Sequence, residues 1–368
     1  MTSVVACGDV GVRRADCASM FWECREALLS SDLSIAHLET TISERGAPVP
    51  NARLAMRAPS EMASAMRDAG IGAVSFASNH CLDFGYDAFA DTLQHVRAAG
   101  LQLFGAGQTL DAARRAAFRR AGSHRIALIA ANAILPEGYA ATAEKPGCAP
   151  LRAFTVHEPV EPDQPGTPPR TRTFPHREDL DALVATVQSA RADADRVLVS
   201  LHWGIHMVPF VLADYQTQVA HALIDAGADA IFGHHPHLLK GVEIYRGKPV
   251  FYSLGNFAIE QPHVWDPAIL RSPSFRHLVS LNPEWDLARR YMLPENTRAT
   301  GLAKLVLGAA GSLECRFRPA WIEDDSAPRI LGRDDRGFAG VRDFLEASTR
   351  AAGFDTRFDV DGDELVLT

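Results

Sequence analysis

Short, almost wholly apolar runs separated by amphipathic segments constrain this chain more than any other feature. "SVVACGD", "LSIAHLE", "GAVSFASNH", "LQLFGAG", "HRIALIAAN", "RVLVSLHWG" and "ADAIFGHHPH" read as strands. Residues 17–29, "PSEMASAMRDAG", "YDAFADTLQHVRAAG", "REDLDALVATVQSARADA" and "DYQTQVAHALIDAG" read as the helices between them. Strands apolar on both faces must be covered on both faces. The alternation therefore predicts an α/β fold with a mostly parallel sheet between helices. "GVEIYRGKPVFYSLGNF" and "GLAKLVLGAAGSLECRFRPAWI" predict hairpins, so antiparallel additions are expected in the C-terminal part.

Two stretches break the pattern. Residues 157–176, rich in Pro and charge, read as a loop or lid, and equally well as a disordered surface insertion. Residues 258–300 read as an irregular loop of the kind that often forms part of a site. The 368 residues suffice for one large domain with insertions. We read a main domain over 1–325, with an insertion at 135–177 and the irregular loop at 258–300. Residues 326–368 read as a C-terminal extension packed on the same domain.

The polar residues sit where the apolar runs end. Asp9 follows "VVACG", Glu39 follows "SIAHL", Asn79 and His80 follow "VSFAS", and His202 follows "VLVSL". His234, His235 and His237 follow "AIFG". In an open α/β sheet, ligands bind outside the carboxyl ends of the strands. Each residue alone also suits a structural role: Asp9 or Asn79 as a helix cap, His202 as a core histidine, Glu39 as a charge where a strand emerges. Together, carboxylate oxygens and imidazoles with no cysteine among them suit Mn, Fe or Zn in a hydrolytic site.

A formal net charge of -8 gives no electrostatic reason to expect nucleic acid or an anionic membrane as partner. The N-terminus lacks the pattern of a signal peptide, and no apolar run is long enough for a transmembrane helix. Six cysteines without a CxxC pair read as free thiols, so a cytoplasmic location is expected. A small-molecule substrate follows from the same charge. The oligomeric state is open.

The order "GD … LE … NH … HWG … GHHPH … YSLGNF" resembles the CapA family of poly-gamma-glutamate capsule biosynthesis, itself similar to calcineurin-like metallophosphatases. The resemblance runs over roughly residues 3–320 and is densest from "VSLHWG" through "YSLGNF". It implies a metallophosphatase-like layered sheet-and-helix domain with mixed β-sheets, and two divalent metal ions. It implies Asp9, Glu39, Asn79, His202, His235 and His237 as metal ligands, with His234 an alternative to His235. It further implies His80 as general acid or transition-state stabiliser, oriented by Asp83.

The sequence departs from that pattern in three places. Gly11 stands where the metallophosphatase motif has His, His37 where the family usually has Asn, and His206 where it usually has Glu. His37 lies two residues before Glu39 on a strand and so shares its face, which makes it a candidate replacement ligand. Packing beneath the site is its structural alternative. Arg13 and Arg14, just past Asp9, are candidates to hold a substrate carboxylate or phosphate. Asn256 of "YSLGNF" is placed with them as substrate-binding. The leading expectation is a dinuclear-metal hydrolase with a metal-bridging hydroxide, acting on a small cytoplasmic amide, ester or phosphoester. An accessory protein of capsule synthesis and a TIM-barrel amidohydrolase are the alternatives.

Overall fold

The parallel strands divide between two sheets rather than forming one. In a computed structural model, residues 1–52, 54–261, 267–286, 288–308 and 311–368 are described. Among them, Thr2–Gly11, Leu33–Leu38, Ile71–Ser75 and Gln102–Phe104 run parallel in the larger sheet. His124–Asn132, Arg196–His202, Ala230–His234 and Lys248–Phe251 run parallel in the second. Periodicity reports a buried strand but not its partners, which is why the alternation alone suggested a single sheet.

Both sheets are mixed. Ala299–Leu307 and Leu313–Ile322 form the expected hairpin and extend the larger sheet antiparallel from Thr2–Gly11. Glu364–Leu367 and Phe358–Asp361 continue it. Val242–Tyr245 turns back on Lys248–Phe251 around Arg246 and Gly247, closing one edge of the second sheet. The result is the layered, mixed α/β architecture that the family resemblance implies.

Alternation along the strands says where the layers lie. Leu198 and Phe232 belong to a core shared with the larger sheet, while Val197, Val199, Leu201 and Ile231 pack in a second core. Leu183 and Val187 of helix Arg177–Asp193, and Val219 and Leu223 of helix Asp214–Asp225, complete that second core. By the two-residue period, His202 and His234 lie on the face that meets the other sheet. The inter-sheet core therefore ends in histidines at the carboxyl ends of these strands.

Glycine permits one close approach beside the site. Asp9 N–H donates to Gly255 O over 3.0 Å. A Cβ on Gly8 would lie 2.0 Å from that same carbonyl oxygen, and Gly255 itself has φ +68°. These contacts bring strand Asn256–Ile259 alongside Thr2–Gly11, with Asn256 in register with Asp9.

Three local expectations change. Residues 17–29 form a 3-10 turn, Cys17–Phe21, and a short helix, Arg25–Leu29. Cys17, Met20, Phe21, Cys24 and Leu28 are buried across the break, so their spacing conceals it. Within 157–176, Arg170–Pro175 pairs with Ala153–Glu158 in a hairpin whose strands carry β-branched and aromatic residues; the Pro-rich run between them is the loop. The segment 258–300 is partly helical, with Pro267–Arg271, Pro273–Leu281 and the 3-10 turn Glu295–Arg298. Ser272 caps the second helix by accepting from Phe275 N–H, with Pro273 at the first helical position. Residues 262–266 and 287 of that segment lie outside the described residues.

Candidate metal centre

Glu39 is the hub of the cluster. It follows strand Leu33–Leu38, and its carboxylate is fully buried. Neither of its oxygens has a hydrogen-bond partner among the described residues. A buried carboxylate with no donor is costly unless a cation compensates it. Oε1 faces His202 Nε2 at 3.7 Å, and Oε2 faces His237 Nδ1 at 3.6 Å.

Two ligand groups therefore share Glu39. One comprises Glu39, His202 and His235, and the other Asp9, Glu39 and His237; within each, the ligand atoms lie within 4.8 Å of one another. Asn79 Oδ1 joins the first group, 2.8 Å from His202 Nε2. Asn256 Oδ1 joins the second, 2.8 Å from His237 Nδ1, and Asp9 Oδ2 lies 3.4 Å from that nitrogen.

The remaining histidines stand behind these groups. His234 Nδ1 donates to Asp9 Oδ1 over 3.1 Å. His37 Nε2 lies 2.9 Å from His202 Nδ1, and its own Nδ1 lies 3.3 Å from Ser75 Oγ. The His37 ring stacks on both His202 and His234. His206 packs against two histidines of these groups, with ring centroids 5.3 Å from His235 and 5.1 Å from His237.

Backbone conformation aims the terminal histidines. His235 has φ +95° and His237 φ +59°, a region that non-glycine residues rarely occupy. Such strain persists where surrounding structure fixes it, and it concentrates at functional sites. Just before them, Gly233 admits Tyr252 O and Trp203 Nε1, which a Cβ would meet at 2.1 and 2.6 Å. Trp203 donates to Tyr252 O over 3.0 Å, so the Trp of "HWG" serves the fold. Lys240 is buried and donates to the carbonyls of Val208 and Val211, tying down the loop after His206.

The electrostatics suit divalent cations. Burial pushes Asp9 up, but hydrogen bonds from His234 and His237 outweigh it and hold Asp9 well below the usual carboxylate range. Burial, then the Asp9 charge, pushes Glu39 well above that range. Two carboxylates this close cannot both keep their charge without positive compensation. Burial, followed by neighbouring imidazoles, pushes His37, His202 and His235 well below their ordinary value. They are therefore neutral and able to ligate. Orphaned carboxylate oxygens, an orphaned His235 Nδ1 and neutral imidazoles together fit a two-cation centre.

His80 and Asp83 form a separate pair on the loop after Ile71–Ser75. His80 Nδ1 donates to Asp83 Oδ2 over 2.6 Å, and His80 N–H donates to Ser78 Oγ over 3.0 Å. His80 is near enough to contribute to the depression of His37 and His235.

The arginines do not join the cluster. Arg14 is bound to Glu260 (Nε–Oε1 2.7 Å), Ser19 and the Asp325 carbonyl, and Arg13 N–H donates to Glu260 Oε2 over 2.6 Å. Position 11 faces Ile259 and Thr40, so packing surrounds the place of the motif histidine. Three contacts lie beyond the sequence pattern: His234 with Asp9, Ser75 with His37, and Tyr139, which donates to Asp83 over 2.9 Å. The triple histidine was the signal for His234; nothing near Tyr139 marked it.

A Mycobacterium tuberculosis protein named as a probable polyglutamine synthesis accessory protein is 31% identical over 244 residues, which are 64% of this chain and 59% of its own. The PGA biosynthesis protein CapA of Bacillus subtilis is 31% identical over 202 residues, 55% of this chain and 46% of its own. The chain thus spans about half of the length of the curated relatives it matches. Among solved structures, the calcineurin-like phosphoesterase YfkN from Bacillus subtilis aligns with 96% of this chain and 98% of its own at 13% identity, with a TM-score of 0.37. Residues 3–261, which contain every member of the cluster from Asp9 to Asn256, match the family described as bacterial capsule synthesis protein PGA_cap, and the chain belongs to that family.

Proposed function

We propose that this chain is a dinuclear-metal-dependent hydrolase acting on a small cytoplasmic molecule with an amide, ester or phosphoester bond. The observation that carries the reading is the pair of ligand groups sharing buried, hydrogen-bond-free Glu39. Bound Mn, Fe or Zn would supply Lewis acidity and lower the pKa of water. Asp9, Asn256 and His237 would hold one ion, Asn79, His202 and His235 the other, and Glu39 both. His234 and His37 would orient Asp9 and His202, as outer partners fix the ligands they bond.

With Nδ1 committed to Asp83, His80 keeps Nε2 for the substrate. There it donates a proton to the leaving group or stabilises charge on it. The net charge of -8 supports a small substrate over a long polyanion. Six free, buried cysteines support a reducing compartment. Among the described residues, no helix is long and apolar enough to cross a membrane.

The names of the relatives favour a second reading, an accessory protein of capsule or polyglutamate synthesis that binds without turnover. One experiment separates the two. Protein is loaded in turn with Mn, Fe and Zn, its metal content is measured, and it is assayed on small amides, esters and phosphoesters and on poly-gamma-glutamate. Metal-dependent turnover of a small compound is expected. Binding of the polymer with no turnover of any compound would support the accessory reading.

A further inference from the structure

We infer that Tyr139 is a positioning residue for His80, acting through Asp83. This rests on the hydrolase reading for its catalytic consequence, although the geometry itself does not require turnover. Tyr139 Oη donates to Asp83 Oδ1 over 2.9 Å, and His80 Nδ1 donates to Asp83 Oδ2 over 2.6 Å. The two donors thus divide the two oxygens of one carboxylate. Met56 N–H adds a third contact, to Oδ2 over 3.3 Å. Asp83 is 1% exposed, so little water competes for either oxygen.

Tyr139 is itself rigidly mounted. It is buried, and its N–H donates to Pro136 O over 3.1 Å while its carbonyl accepts from Cys148 N–H over 3.0 Å. Strand Gly147–Cys148 in turn pairs with Ala106–Gly107. Burial, then the Asp83 charge, pushes the phenol far above its ordinary value. Tyr139 therefore remains a donor throughout the working range. A donor fixed on Oδ1 stops the carboxylate from rotating. Oδ2 then stays aimed at His80 Nδ1, which keeps the proton on that nitrogen and leaves Nε2 facing outward.

The arrangement gives the 135–177 stretch, read from the sequence as an insertion, a part in the site. It supplies the residue that sets the direction and tautomer of the proton-transfer histidine. No other part of the proposed machinery comes from that insertion.

The test uses the full chain with diamagnetic zinc added, as wild type, Tyr139→Phe, Asp83→Asn and the double variant. Histidine is labelled with ¹⁵N, and the hydrogen-bonded Nδ1 proton of His80 is assigned by its loss in His80→Asn. Tyr139→Phe should shift and broaden that resonance while metal content stays at the wild-type level. With bis(p-nitrophenyl) phosphate as probe, kcat should fall about 10- to 100-fold, the usual cost of losing an outer orienting partner, with KM unchanged. Adding Tyr139→Phe to Asp83→Asn should then change little. An unmoved resonance, or a moved one with unchanged kcat, would overturn the inference. A wild-type protein inert toward the probe, whose resonance still moves in Tyr139→Phe, would count against the hydrolase reading and support the Tyr139–Asp83–His80 connection.

Discussion

His37 Nε2 lies 2.9 Å from Nδ1 of His202, so His37 backs a candidate ligand instead of facing the space between Glu39 and His235. The contact makes His37 an orienting residue. His37→Asn should weaken metal binding about 10- to 100-fold while two ions per chain still bind at saturation. Competition titration against a metal-binding dye measures this. Loss of one whole equivalent would make His37 a ligand.

Glu39 and His235 should differ in stoichiometry. Glu39 faces both ligand groups, whereas His235 belongs to one. Glu39→Gln should lose both ions, and His235→Ala should retain one. Elemental analysis of dialysed protein distinguishes these outcomes, and equal losses from the two variants would remove Glu39 from its shared position.

His80 should separate chemistry from metal retention. His80→Ala removes the imidazole bonded to Asp83 and leaves Glu39, Asp9 and the ligand histidines in place. Turnover of a responsive substrate should fall about 10²–10⁴-fold with metal content preserved. A variant with wild-type turnover would rule out the proton-transfer role.

Gly8 should be intolerant of even one methyl group. An added Cβ would stand 2.0 Å from Gly255 O, a backbone atom held by the Asp9 N–H. Gly8→Ala should lower stability by about 1–3 kcal/mol, the range for overpacking. It should also weaken metal binding, because the strand that moves carries Asp9. Urea unfolding measures the first effect and metal titration the second; unchanged values in both would mean that the two strands separate without cost.

The strand ends were legible because each joins a long apolar run to an isolated polar residue, as at Asp9, Glu39 and His202. Their meeting point followed from the carboxyl-end rule once the strands were taken as parallel. Sheet membership was not legible, since Val197 and Val199 have the pattern of any buried strand whichever sheet receives them. Charge is a poor guide at Arg14: a guanidinium beside Asp9 in sequence suits an anion, but Glu260, 246 residues away, occupies it. Tyr139 was hidden by the same kind of distance, 56 residues from Asp83 in an irregular stretch without period.

The candidate ligands are divided between the two sheets, and this bears on synthesis of the chain. Asp9 and Glu39 leave the ribosome early, whereas His235, which donates its backbone N–H to Asp9, comes 226 residues later. A nascent chain carrying only the first sheet's contribution holds two carboxylates with none of the second sheet's imidazoles. Such a fragment has little means of choosing among metals, because carboxylates alone favour abundant hard ions and the histidines shift the preference toward transition metals. On the two-metal reading, selection of the metal would be deferred until translation has passed His237 and the sheets have docked. The same reading expects growth in media of different metal content to leave its mark on the protein as isolated.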